Sequence, residues 1–186
     1  MRIISGFLKG KSIKFIKNIN TRPLKDSVKE NIFNILKHSK LIDIKIENAC
    51  ILDLYSGVGS FGIECISRGA KDVTFIENNR VALEVLEKNL NQLSIINKTK
   101  IFNSKIEDIL KKKKNEKFDV FFLDPPFADK NFIQNLKLIK ENKLYKKKHI
   151  IIIHREIKTI DHLEEFFHTI ISKKYGRSKV IFGLLN

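Results

Sequence analysis

Fourteen residues constrain this chain more than any others: Ile51 to Glu64, ILDLYSGVGSFGIE. Ile51 to Leu54 reads as a short buried strand, the glycines as a turn, and the residues after them as the start of a helix. Gly57, Gly59 and Gly62 have the spacing G-x-G-x-x-G. Glycine has no Cβ and tolerates positive φ, so a strand feeding this turn can bring bare backbone against a ligand. The helix that follows opens with free N–H groups pointing into the same space. Such a unit belongs in an α/β sheet, with a small molecule bound at the carboxyl end of a central parallel strand.

The glycine spacing does not choose the ligand. Nicotinamide- and flavin-binding folds, kinases and methyltransferases share it, and some matches are only tight turns. The neighbouring acids narrow the choice. Asp53 stands just before the turn and Glu64 just after it. A pyrophosphate here would sit near two carboxylates, and like charges at close range are costly. S-adenosylmethionine carries an ammonium and a sulfonium and no phosphate, so these acids favour it over a dinucleotide. Glu77 ends the next apolar run, Val73 to Ile76, twenty residues after Gly57. That is the place for an acid that accepts hydrogen bonds from ribose hydroxyls, which both ligands possess. Asn103, Ser104 and Lys105 fall where an adenine-contacting turn would be. The expected cofactor set is therefore Asp53, Tyr55, Gly57, Gly59, Glu77, Asn78, Ser104 and Lys105.

The chain of 186 residues is long enough for one α/β domain and little more. We divide it into a basic hairpin (1–20), a lead-in helix and linker (21–48) and a catalytic sheet (49–186). No run approaches membrane-spanning length, and the apolar start, Ile3-Ile4, is far too short for a signal peptide. Cys50 and Cys65 read as small buried hydrophobes in a reduced protein. The expectation is a cytoplasmic monomer. The five histidines show no metal spacing and read as surface or packing residues, so no metal is expected. Net charge is +15, which points to a polyanionic partner. Only six of the 36 basic residues are arginine, a bias that an AT-rich genome also produces. Lys111 to Lys114 and Lys146 to Lys148 read most simply as solvated ends of helices or loops.

Along the chain, Arg2 to Ser5 and Ser12 to Ile16 are β-prone runs around Gly6 to Lys11, and predict a hairpin. Arg2, Lys9 and Lys11 on it, with Arg22 beyond, are the candidate nucleic-acid contacts; a simple edge ribbon is the other reading. Pro23 holds Arg22 extended before a helix, and Ser27 with Glu30 reads as its capping box. Helices are predicted to about Arg68, over Arg80 to Leu93, Ile106 to Leu110, Asn131 to Asn142 and Asp161 to Phe167. Strands are predicted over Val73 to Glu77, Lys100 to Asn103, Phe118 to Leu123 and Ile150 to His154. A closing hairpin, Thr169 to Lys174 with Lys179 to Leu185, makes seven strands, mostly parallel with an antiparallel edge.

The most specific feature is Asp124-Pro125-Pro126-Phe127. Two prolines after a buried strand remove two N–H donors and lock the backbone. The Asp124 carboxylate and the Pro125 carbonyl can then face one point as acceptors. A planar exocyclic amine, of guanine or adenine, offers two N–H donors. Holding both aims its lone pair in a third direction, where a sulfonium methyl could lie. Rate then comes from positioning and from stabilising the positive charge that grows on nitrogen. Phe127 offers a face for the base to stack on, and a paired base must first be flipped out. Taken alone, the tetrapeptide could also be a rigid turn with a hydrophobic anchor.

With ILDLYSGVGSFGIE, the segments Ser67 to Ala70 (SRGA), Phe75 to Glu77 (FIE), Leu123 to Phe127 (LDPPF), RIISGFLKGKSI, Thr21 to Leu36 and the closing YGRSKVIFGLL make the chain similar to a known family. It resembles the bacterial small-subunit ribosomal RNA guanine-N2 methyltransferases, the RsmD-like group. The resemblance implies a class I S-adenosylmethionine-dependent methyltransferase fold, S-adenosylmethionine as donor and a guanine amine of 16S rRNA, naked or in a particle, as target. It implies cofactor binding at Asp53, Gly57, Gly59 and Glu77, and target binding at Asp124 and Pro125. Ser5, Leu24 and Tyr55 depart from the group, and Ser104 stands where many methyltransferases have an acid. An adenine-N6 methyltransferase and a non-catalytic RNA-binding protein of the same fold are the alternatives.

Overall fold

The computed structural model describes residues 1–16, 24–113, 115–126 and 128–186. Chain order is α1 (Asp26–His38), β1 (Cys50–Leu54), α2 (Ser60–Ser67), β2 (Asp72–Glu77), α3 (Arg80–Gln92), β3 (Thr99–Asn103), α4 (Ile106–Lys112), β4 (Phe118–Leu123), α5 (Phe132–Glu141), β5 (Tyr145–Glu156), β6 (Phe167–Tyr175) and β7 (Ser178–Leu185). The seven strands form one sheet in the order β3-β2-β1-β4-β5-β7-β6. β1 to β5 run parallel, and β7 runs antiparallel between β5 and β6.

Central strands with helices on both faces must be apolar on both faces. Alternation divides their side chains between two cores. Ile51, Val120, Phe122, Ile150 and Ile152 join α1, α2 and α3 on one side. Leu52, Leu54, Phe121, Leu123, Ile151 and Ile153 join α4 and α5 on the other. The strand order reverses beside β1 and β4, where a crevice opens at the carboxyl ends. Register pairs Leu54 with both Ile76 and Leu123. The glycine turn, Glu77 and Asp124 therefore emerge side by side.

Two sequence expectations are corrected. Asp161 to Phe167 is not a helix. Leu163, Phe166 and Phe167 are buried, and their spacing suits a single turn closed by Phe167 N–H on the Leu163 carbonyl at 2.9 Å. β6 then claims Phe167 for pairing with Leu185. The capping box is absent. α1 begins at Asp26 and Lys25 caps it without a side-chain bond, so Ser27 lies inside the first turn.

The N-terminal hairpin is short, closed by one antiparallel bridge, Arg2 to Ser12, with the Ile3 N–H on the Lys11 carbonyl and the Ile13 N–H on the Met1 carbonyl, both at 3.0 Å. It buries Ile3, Leu8 and Ile13 in the core beside α2. Glu64, wholly buried, accepts the Ile4 N–H at 2.7 Å and the Ser5 N–H at 3.0 Å. Ser67 Oγ donates to the Ser5 carbonyl at 2.6 Å and accepts the Leu8 N–H at 3.0 Å. Gly6 has φ +86°, and a Cβ there would lie 1.7 Å from the Ser67 carbonyl oxygen, so only glycine fits. Lys29, also wholly buried, donates to the Arg2 carbonyl at 2.8 Å and Ser60 Oγ at 3.3 Å. Burial lowers its pKa despite the nearby Glu64 and Asp26. Asn89 exchanges two hydrogen bonds with the Lys14 backbone and donates to the Val58 carbonyl.

Candidate active site

The turn after β1 is built from beneath. Asp53, 1% exposed, accepts the Gly62 N–H at 3.0 Å. Gly59 has φ +85°, and a Cβ there would meet Leu86 at 2.4 Å, so α3 packs against bare backbone. The Gly57 N–H donates to Glu77 Oε2 at 2.7 Å, and the Asn78 and Asn79 N–H groups donate to Oε1 at 2.9 and 2.8 Å. Glu77 thus ties the turn to the end of β2. Tyr55 turns the chain into the loop at φ 60°, a conformation rarely taken by a residue with a Cβ. Its hydroxyl accepts from Asn135 Nδ2 at 2.9 Å.

A cleft of about 440 Å³ opens between this turn, the end of β2 and the start of α4, lined by Tyr55, Glu77, Asn78, Lys105, Glu107 and Asp108 among others. Of the expected cofactor residues, Tyr55, Glu77, Asn78 and Lys105 face it. Asp53 lies behind the turn, and Ser104 lies beside the cleft without lining it. Glu107 and Asp108 were missed from the sequence. The signal was available: two acids in the first turn of the helix after β3.

Glu64 is a further correction. It does not face the ligand space, because it is the anchor of the N-terminal loop. The acids that crowd the site are others. Burial pushes the Asp53 carboxyl well above the usual carboxylate range, and the charges of Asp124 and Glu77 push the same way.

Asp124 leaves the carboxyl end of β4 with its side chain 22% exposed. Its Oδ1 meets Nδ1 of His154 at 2.8 Å. Pro125 is buried and Pro126 exposed. The Pro126 carbonyl accepts from the Asp129 N–H at 2.8 Å and from Arg155 Nη1 at 3.1 Å. Arg155, 1% exposed, also grips Asp161 through Nε at 3.2 Å and Nη2 at 3.0 Å. His154 and Arg155 were missed as site residues. Their signal was a polar pair closing an otherwise apolar run, Ile150 to Ile153, at the carboxyl end of a strand.

Arg2, Lys9 and Lys11 are exposed. The loop that carries them runs along α2 away from the glycine turn, with its Gly6 tip against Ser67. Arg22 and Phe127, both expected at the site, lie outside the described residues. Among the described residues no group of three or more His, Cys, Asp or Glu could hold a metal ion. None of their helices is long and apolar enough to cross a membrane.

The strand order, the glycine turn and the acid-ended β2 define a class I methyltransferase fold. The chain belongs to the family described as conserved hypothetical protein 95, whose family model matches residues 1–183. It is 35% identical over 181 residues to "Ribosomal RNA small subunit methyltransferase D" of Buchnera aphidicola subsp. Baizongia pistaciae, covering 97% of this chain and 88% of that protein. A solved putative methylase of Haemophilus influenzae superposes with TM-score 0.79 at 30% identity, covering 100% of this chain and 97% of that one. A solved putative methyltransferase of Escherichia coli superposes with TM-score 0.80 at 26% identity, covering 98% and 96%.

Proposed function

We propose that this protein is a ribosomal RNA methyltransferase that uses S-adenosylmethionine and methylates the exocyclic N2 amine of a guanine in small-subunit (16S) rRNA. Family membership supports the reaction class. The observation that carries the site assignment is the juxtaposition of Asp124 with the glycine turn, since β1 and β4 are neighbours with Leu54 beside Leu123.

The cleft fits the cofactor by charge. Glu77, Glu107 and Asp108 line it against Lys105, and Asp53 and Asp124 stand close by. This surrounding suits a cationic ligand without phosphate better than a pyrophosphate. Bound there, S-adenosylmethionine supplies a methyl group on an electrophilic sulfonium. Glu77 is the acceptor for ribose hydroxyls. The first turn of α4, with Glu107 and Asp108, offers acceptors for the adenine amine where Ser104 does not. Asp53 acts beneath the turn, holding the Gly62 amide and so the shape of the loop.

The chain's own residues orient the target. Asp124 and the Pro125 carbonyl accept the two N–H groups of the amine and stabilise positive charge growing on its nitrogen. The proton leaves after transfer, so no strong base is required. Arg2, Lys9, Lys11 and Arg22 are the phosphate contacts in this reading, and Phe127 is the stacking surface. We place the protein in the cytoplasm with its ribosomal substrate, acting as a monomer.

The test is nucleoside mass spectrometry after incubation with S-adenosylmethionine and unmodified small-subunit RNA or particles. New N2-methylguanosine is expected. N6-methyladenosine would overturn the guanine assignment and keep the mechanism, since Asp124 and Pro125 serve either amine. No methylation together with no S-adenosylmethionine binding would favour a non-catalytic RNA-binding protein.

A further inference from the structure

We infer that His154 is the positioning residue for Asp124, holding its carboxylate in the one rotation that leaves a single oxygen for the target amine; this rests on the reading that Asp124 receives that amine. Register pairs Leu123 with Ile153, so the next residues, Asp124 and His154, leave adjacent strands side by side. A carboxylate only accepts, so Nδ1 of His154 donates to Oδ1. At 2.8 Å the bond has the length of a charge-assisted one. It occupies Oδ1 and leaves Oδ2 for a substrate donor.

An aspartate needs such a partner here. Its terminal torsion is broad and soft, and transfer requires two acceptors to converge on one amine. Without a fixed carboxylate, Asp124 and the Pro125 carbonyl converge in only part of the population, and misplacement by an ångström is costly in rate. His154 is itself held. Its strand lies between β4 and β7, where it pairs with Val180, and its side chain is 11% exposed. The next residue, Arg155, is fully committed between Asp161 and the Pro126 carbonyl. The end of β5 thus holds the Asp124–Pro126 segment at both ends. His154 touches the carboxylate and not the reacting atoms, so it acts through Asp124.

The test compares His154→Phe, which keeps a ring and removes the donor, with His154→Asn, whose side-chain N–H can take the place of Nδ1–H. Single-turnover transfer from S-adenosylmethionine to unmodified small-subunit RNA is measured with cofactor affinity and Tm. His154→Phe should slow transfer about 10- to 100-fold while cofactor affinity stays within a few-fold. His154→Asn should recover most of the rate. Wild-type rates in His154→Phe would overturn the inference, as would an Asn variant that folds, binds cofactor and is equally slow. Should the Phe variant not fold, His154→Gln replaces it. The glutamine amide reaches the Nε2 position instead, so Asn fast and Gln slow is expected, and equal rates overturn the inference. Asp124→Ala in the same assay separates the parent reading: if that variant keeps wild-type transfer, Asp124 does not hold the amine at all.

Discussion

The two ends of α2 use the same residue types for different purposes. At its start, the glycine turn lets α3 pack against bare backbone at Gly59, and Tyr55 and Glu77 beside it face an open cleft. At its end, Gly6, Glu64, Ser67 and Arg68 form a sealed joint. Glu64 is wholly buried with every neighbour accounted for: the Ile4 and Ser5 amides, Arg68 at 2.8 Å and Lys29 at 3.7 Å. Arg68 closes the joint by lying over Phe33, 4.3 Å from the ring centroid. An acid next to a glycine turn is thus no sign of chemistry by itself. The Glu64 and Glu77 carboxyls both accept backbone amides of the chain; what separates the two ends is that Glu64 is wholly buried while Glu77 also lines an open cleft.

The comparison breaks first at Asp124, on the open side. Asp124→Ala should lower methyl transfer about 10²- to 10³-fold with cofactor affinity, measured by calorimetry, within a few-fold. Equal loss of both would show that Asp124 belongs to the cofactor wall.

On the sealed side the expected loss is in stability. Glu64→Ala leaves Lys29 buried without its wholly buried counter-charge and the Ile4 and Ser5 amides without their acceptor, which should cost about 3–5 kcal/mol in denaturant unfolding. Methyl transfer per folded molecule should be unchanged below the unfolding range. A Glu64→Ala protein of full stability but impaired transfer would return Glu64 to the ligand side.

Helix geometry could have told these roles apart. At 100° per residue, Glu64 lies about 200° around α2 from Gly62. Gly62 faces the sheet, where a Cβ would meet Phe75 at 2.3 Å, so Glu64 must point away from it. The sheet itself was legible because strands buried on both faces, such as FDVFFL, can be little else. The length of β5 was not, because Tyr145 to His149 is largely polar and reads as a loop until β4 pairs Phe118 with Tyr145. The last helix failed because apolar residues three and four apart suit one turn as well as several. His154 failed for a different reason. The polar pair closing the Ile150 to Ile153 run marks a strand end, but the meeting of His154 with Asp124 depends on the β4–β5 register, which that local pattern does not carry.

Asp53 lies between the two regimes, buried like Glu64 but serving the open turn. Its raised pKa means that its contribution to stability is full below the ordinary carboxylate value of 3.8 and is lost as pH rises through the folded-state value. Asp53→Asn keeps an acceptor for the Gly62 amide and cannot ionise. It should match the wild type at low pH and equal or exceed it at neutral pH. Asp53→Ala strands the amide and should cost about 1–3 kcal/mol. Denaturant unfolding across pH reads both; an Asn variant as weak as Ala would show that the carboxyl itself is needed.

The smallest expected effect sharpens the comparison most, because it tests whether the open side is one site or two. Tyr55 leaves β1 at positive φ and lines the cleft, yet its hydroxyl accepts from Asn135 on α5 and lies close to the Asp129 carboxylate, beyond the Asp124–Pro126 segment. Burial, reinforced by Asp129, raises the phenol's pKa, so it stays protonated. One hydroxyl therefore links the turn after β1 to α5, the helix that follows the Asp124–Pro126 segment. Tyr55→Phe keeps the ring and removes the link, leaving the Nδ2–H of the fully buried Asn135 without its acceptor, at a cost of about 1–2 kcal/mol. If the hydroxyl couples the two segments, S-adenosylmethionine and RNA should each bind slightly less well when the other is present than they do to the wild type, with binary affinities nearly unchanged. Calorimetric titration of RNA with and without the cofactor product measures this difference. Unchanged coupling with only the stability loss would make the hydroxyl a packing bond, and the two segments independent.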